Sequence, residues 1–163
     1  MIYRAIVRRR VHRLFSEANR GNWAAIVEGL APRFTYRFVG DTPLGGTRTS
    51  HAAMRLWFER LYRLFPGSAF VPQAVVVEGA PWRTNIMTYM LIRGTVPGVD
   101  GASRPYENEF MQRMVLRWGK VTSVVTLEDT QRFVDLLPAL ASAGIADATA
   151  APIVDARDQI DAK

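Results

Sequence analysis

The chain has 163 residues and a formal charge of 21 − 15 = +6, with 48% apolar and 22% charged residues. That composition suits one domain with a buried core and excludes collagen-like, coiled-coil and wholly disordered chains. Cys is absent and His12 and His51 are the only histidines, which excludes thiol nucleophiles, disulfides, Cys-ligated zinc or iron–sulfur clusters and a three-His zinc site.

Residues 4–20 are predicted to form an amphipathic helix, with Val7, Val11, Leu14, Phe15 and Ala18 on one stripe and Arg9, Arg10 and Arg13 off it. Residues 1–20 hold six Arg against one Glu, whereas residues 128–163 hold seven acids against three bases. The arginines have a plain reading as the wet face of that helix, so no nucleic-acid partner is expected. Arg scattered through MIYRAIVRRRVHRLF leaves no signal-peptide core, and no apolar run approaches the ~20 residues of a membrane span. A cytoplasmic protein without a membrane partner is the expectation.

A second short helix, 23–30, is predicted with Asn22 as its N-cap and Pro32 as its stop. Residues 33–39 alternate, with Phe34, Tyr36 and Phe38 facing one way, which predicts a half-buried strand. GDTPLGG (40–46) reads as a loop. Ser50 can cap a helix over 51–65 whose stripe is Met54, Trp57, Phe58, Leu61 and Phe65. Strands follow over 70–78, 83–93, 106–118 and 121–128, with a hairpin loop at 97–105 and a tight turn at Trp118-Gly119-Lys120. A last helix spans 130–143, with Pro138 expected to break or restart it. Strands joined by short turns should pair antiparallel with the helices on one face, giving an α+β domain.

GNWAAIVEGLAPRFTYRF, PLGGTRTSHAAMRLWFERL and RWGKVTSVVTLEDTQRF, in this order, resemble the SnoaL-like family of the nuclear transport factor 2-like superfamily, over roughly residues 4–145. The resemblance implies a cone, the cystatin-like arrangement in which a curved antiparallel sheet wraps three helices, with a further C-terminal helix. It implies a single domain over 1–145, followed by a poorly ordered Ala/Asp-rich tail over 146–163. It also implies an apolar pocket for a small hydrophobic organic molecule and a homodimer packed through the convex sheet face. Glu107, Glu109, Arg113 and Arg117 are the residues expected to pair across that interface. Isomerases, cyclases, dehydratases and epoxide hydrolases share the fold with non-catalytic binding domains, so both classes stay open.

Matching HAAMRLWF to the corresponding helix of ketosteroid isomerases places their catalytic Asp on Asp41, a base in a cofactor-free, metal-free acid–base reaction. The same residue in GDTPLGG reads equally as an Asx-turn. Those isomerases carry a Tyr where this chain has Leu14, which donates no hydrogen bond, so the developing charge needs another donor. His51, in the first turn of its helix, and Asp129, at the end of the last strand, are further catalytic candidates. Each also reads as an ordinary helix-end residue. The strand 106–118 turns Tyr106, Asn108, Phe110, Gln112 and Met114 to one face. With Leu14, Tyr36, Trp57, Phe58 and Trp82, these are the expected ligand-binding residues.

Overall fold

The computed structural model describes residues 2–155. Helix α1 (Ile2–Asn19) buries Val7, Val11 and Ala18 on one stripe, as the 3.6-residue period requires. Helix α2 (Ala24–Gly29) is shorter than its sequence suggests, and Asn22 does not cap it. The Asn22 amide instead donates to Glu17 Oε2 at 3.2 Å, which leaves Trp23 at the cap position. Strand β1 (Leu30–Phe38) starts three residues before its alternating stretch and buries Phe34, Tyr36 and Phe38.

A short strand that no periodicity announced, β2 (Gly46–Arg48), folds back antiparallel on β1 and sets Arg48 opposite Tyr36. Helix α3 (His51–Leu64) begins where Ser50 Oγ accepts the Ala53 N–H at 3.2 Å, the expected cap. Four strands follow: β3 (Ala69–Ala80), β4 (Arg83–Pro97), β5 (Ser103–Arg117) and β6 (Lys120–Glu128). Helix α4 (Thr130–Ser142) runs unbroken through Pro138. That proline lies on the exposed side, where water takes the carbonyl its ring deprives of a partner.

The strands form one curved, unclosed six-stranded sheet in the order β2-β1-β6-β5-β4-β3. All neighbours are antiparallel except β1 and β6, which run parallel. The whole intervening chain joins those two, so no hairpin constrains them. The parallel pairing sets Tyr36 beside Val124 and Phe38 beside Thr126. It thereby brings the two ends of the domain together at one place on the concave face.

Met54, Trp57, Leu64, Phe133 and Leu140 lie in one core cluster with Tyr36, Phe38 and Val124. Each large apolar side chain buried there contributes about 1.5–3 kcal/mol. The opposite, convex face of the sheet leaves Val76, Met87, Met111 and Leu127 exposed.

The tail departs from expectation. A poorly ordered stretch was expected over 146–163, yet residues 146–155 pack on the domain, and 156–163 lie outside the described residues. A 3₁₀ turn at Ala146–Thr149 buries Ala148 and sets Asp147 against Arg60 at 3.1 Å and Arg63 at 2.6 Å. Arg48, fully buried, donates from Nε to the Ile153 carbonyl at 2.7 Å and from Nη2 to the Leu44 carbonyl at 2.9 Å. The periodicity of an Ala/Asp-rich stretch carries no trace of these bonds, because their other halves lie about a hundred residues away.

Candidate functional site

A cavity of about 120 Å³ lies between the concave face and the helices. Of the residues expected to bind a ligand, Leu14, Tyr36, Trp57, Phe58, Tyr106, Phe110, Gln112 and Met114 line it. Alternation puts the strand residues there: β5 turns every second residue inward, and β1 does the same with Tyr36 and Phe38. Tyr36 and Trp57 pack with ring centroids 5.2 Å apart, and Trp57 meets Phe58 edge-on at 5.1 Å. The Trp57 indole N–H donates to the Leu44 carbonyl at 2.8 Å, which fixes that wall.

Two expected ligand residues lie elsewhere. Trp82 is 62% exposed in the turn between β3 and β4. Asn108 is buried but spends its amide on the backbone. Its Nδ2 donates to the Asp129 carbonyl at 3.1 Å and its Oδ1 accepts the Glu109 N–H at 2.8 Å. It tethers the start of α4 rather than lining the cavity.

The three expected catalytic residues are also outside the cavity lining. Asp41 is exposed in the loop after β1. His51 is half-buried, its ring edge-on to Phe34 at 5.2 Å. Asp129 is exposed, and its Oδ1 accepts the Arg132 N–H at 3.2 Å, capping α4. Its face of β6 is that of exposed Leu127, the convex one.

The carboxyl group that does reach the cavity is Glu128. It shares the inward face of β6 with Val124 and Thr126, and in register it stands opposite Phe110. Its Oε1 is buried and finds no hydrogen-bond partner among the described residues. Burial, reinforced by the charge of Asp129, pushes its pKa up from 4.5 to about 8. The alternation Val124-Thr126-Glu128 carries the sequence signal for this placement, and Asp129, one residue on, falls on the opposite face.

Neutral polar groups share the wall with it. Gln112 Nε2 donates to Thr126 Oγ1 at 2.9 Å across the β5–β6 pair. The Tyr36 phenol, close to Thr126 and Gln112, is held protonated above its usual range, by burial first and by the nearby Glu128 charge as well. The Tyr106 hydroxyl is buried without a partner among the described residues, its ring stacked on Phe65 at 5.4 Å. Burial and the Glu128 charge likewise raise its pKa. The site thus joins one carboxyl of high proton affinity to phenol and amide groups inside apolar walls. Such a set can move a proton and hold an oxygen atom. Among the described residues, no three His, Asp or Glu side chains gather as a metal cluster would require.

Residues 11–124 match the model of the SnoaL-like domain. Among curated proteins no relative matches the sequence. Among solved structures, PrhC from Penicillium brasilianum shares 18% identity at a TM-score of 0.67, over 89% of this chain and 94% of its own. A protein assigned as a SnoaL-like polyketide cyclase from Jannaschia sp. shares 20% identity at 0.62, over 80% and 88%. TerC, co-crystallised with polyporic acid, shares 19% at 0.59, over 77% and 93%. At these identities the likeness shows the fold alone.

Proposed function

The chain belongs to the SnoaL-like domain family, and from that premise we propose that it transfers a proton on a small, largely apolar carbonyl compound held in the cavity. Glu128 is the base. The observation that carries this reading is the Glu128 carboxyl facing apolar walls, its Oε1 buried without a hydrogen-bond partner among the described residues and its pKa raised to about 8. A carboxylate of that proton affinity abstracts a proton next to a carbonyl far better than an ordinary one, while a usable fraction stays ionised near neutral pH. The Tyr36 hydroxyl, always protonated, donates to the oxygen on which negative charge develops, in place of the donor that Leu14 cannot supply. Gln112 and Thr126 fix the ligand's orientation, and the reaction needs no cofactor.

The substrate class follows from the walls: a planar, ring-bearing ketone or enol suits Trp57, Phe58 and Phe110. A polyketide-like compound agrees with the cyclase assignment of one structural neighbour, and the polyporic acid co-crystallised with another supports a small organic ligand. The convex face, with its band of exposed apolar side chains, supports assembly as a homodimer.

The test is hydrogen–deuterium exchange, followed by proton NMR, on a panel of aryl ketones and β-diketones incubated with the protein in heavy water. Enzyme-dependent exchange at the carbon next to the carbonyl is expected. It should fall at least about a hundredfold in Glu128→Gln and stay unchanged in Asp41→Asn. Exchange abolished by Asp41→Asn but not by Glu128→Gln would sink the assignment. Binding without exchange across the panel would favour a ligand-holding role.

A further inference from the structure

At Arg10, the one residue of the cavity lining that is exposed rather than buried or half-buried, three pieces of chain meet. The Trp118 N–H donates to the Pro81 carbonyl at 2.7 Å, joining the β5–β6 turn to the β3–β4 turn. The Tyr3 hydroxyl lies 2.6 Å from Thr84 Oγ1, tying the start of α1 to the same end. The Arg10 guanidinium lies against Gly119.

The side chains displayed there are an unusual mixture. Trp118 is 75% exposed and Trp82 62%, while Ile2 and Ile6 stand 81% and 57% exposed on the outer side of α1. Around them are Arg83, Arg117 and Lys120 beside the turns, and five arginines, from Arg4 to Arg13, on α1. The first acid on α1 is Glu17, and Glu28, whose backbone carbonyl accepts from Lys120 Nζ at 2.8 Å, is the acid on α2.

Trp118 adds a separate observation. Its φ of 50° is the only positive value among the described non-glycine residues. At that position of a two-residue hairpin turn Asn, Asp or Gly is favoured, and a bulky side chain is disfavoured. The ring gains no burial to offset the disfavoured backbone, so the fold does not account for it. Nor does the fold bury Trp82, which is 62% exposed in its turn.

We propose that this end of the molecule docks on an anionic phospholipid surface. Trp82 and Trp118 enter the headgroup layer, where amphipathic rings are favoured, and Ile2 and Ile6 add apolar contact. The arginines face the acidic headgroups. Exposed aliphatic side chains separate this surface from one built to stack nucleic-acid bases, which has no use for them. No described helix is long and apolar enough to cross a membrane, and peripheral docking needs none. Docking sets the end of the cavity lining at Arg10 against the bilayer, the phase into which an apolar ligand partitions. The surface itself does not depend on what the cavity binds.

The test is co-sedimentation of the full chain with vesicles of phosphatidylcholine alone, or of phosphatidylcholine with phosphatidylglycerol. Binding at least about tenfold tighter to the anionic vesicles, weakened by salt, is expected. Trp82→Ala combined with Trp118→Asn should remove most of it, together with the quenching of tryptophan fluorescence by brominated lipid. Asn suits the backbone at 118, and Arg9→Gln with Arg13→Gln offers a second variant that leaves both turns intact. Equal binding to both vesicle types, no binding to either, or variants that bind like the parent chain would overturn the proposal. So would capture of a single-stranded oligonucleotide in place of vesicles.

Discussion

Glu128 and Asp129 are consecutive carboxyl groups that the end of β6 sends to opposite faces, the first into the cavity and the second into solvent as the cap of α4. The pairing has a thermodynamic consequence. Glu128 has a folded-state pKa of about 8 against an ordinary 4.5, so between those values the folded chain holds a proton the unfolded chain has lost. Stability is greatest below pH 4.5 as far as this group is concerned, and it falls as pH rises toward 8. Glu128→Gln, which cannot ionise, should match the parent chain at about pH 5 and exceed it increasingly above that. The gain should be on the order of 2–4 kcal/mol by about pH 8. Urea unfolding at the two pH values measures it; a variant less stable at both would refute a raised proton affinity at Glu128.

The same ionisation sets the rate profile. If the carboxylate is the base, exchange at the substrate carbon rises with pH and levels off above about 8. A rate that falls through that pH would make Glu128 the acid instead.

Tyr36 supplies the complementary donor. Burial keeps its phenol protonated above the usual range, so the hydroxyl remains a donor over the whole assay range. Tyr36→Phe keeps the ring packed on Trp57 and removes only that donor. The exchange rate should drop about a hundredfold with little change in ligand affinity or in the pH at which the rate levels off. Weaker binding at an unchanged rate would make Tyr36 an orienting group only.

Local pattern carried the reading of most elements. Alternation in β1 and β5 revealed which residues point inward, and eight of the ten expected ligand residues do line the cavity. Patterns failed where the deciding partner is distant. Asn108 sits on the inward face, yet its amide is consumed by backbone atoms at 109 and 129. Trp82 is an aromatic beside a strand, but the turn position decides its direction. Asp41 matches a family's base in sequence, but it lies in a loop whose path local sequence does not fix; the carboxyl among the cavity lining is that of Glu128, from the last strand. The short β2 and the packed tail share that cause, since both depend on Arg48 reaching carbonyls at 44 and 153.

The packed tail should be measurable in stability. The Ser50 hydroxyl donates to Asp155 Oδ1 at 2.6 Å and the Ser50 N–H to Oδ2 at 3.1 Å, with Thr49 N–H on the same oxygen. Asp155 therefore anchors the tail at the start of α3. Burial pushes its pKa up, but these hydrogen bonds outweigh burial and hold it below the ordinary 3.8. Its contribution is present above that ordinary value and is lost as pH falls through the lowered one. Asp155→Ala should cost about 1 kcal/mol at neutral pH and lower Tm by roughly 2–4 °C. The difference from the parent chain should shrink in acid. An unchanged melting curve at neutral pH would mean the tail contributes nothing there.

The proposed homodimer depends on the convex face. In register, Val76 stands opposite Met87 and Met111 opposite Leu127, with Tyr89 beside Met111. All four apolar side chains are exposed, and they form a band across β3 to β6. The two acids among the charged groups expected to bridge two copies are engaged within one copy: Glu107 pairs with Arg93, and Glu109 accepts from the Tyr89 hydroxyl. The apolar band, rather than the charges, is then the driving surface, and a two-fold axis through it would lay each band on its mate. Sedimentation equilibrium should find a dimer at micromolar concentration. Met87→Glu with Met111→Glu places like charges at the centre of both faces. That variant should be monomeric with an unchanged circular dichroism spectrum, while Glu107→Gln should leave the dimer intact. A parent chain that sediments as a monomer would end the proposal, and a dimer broken by Glu107→Gln alone would return the interface to its charged rim.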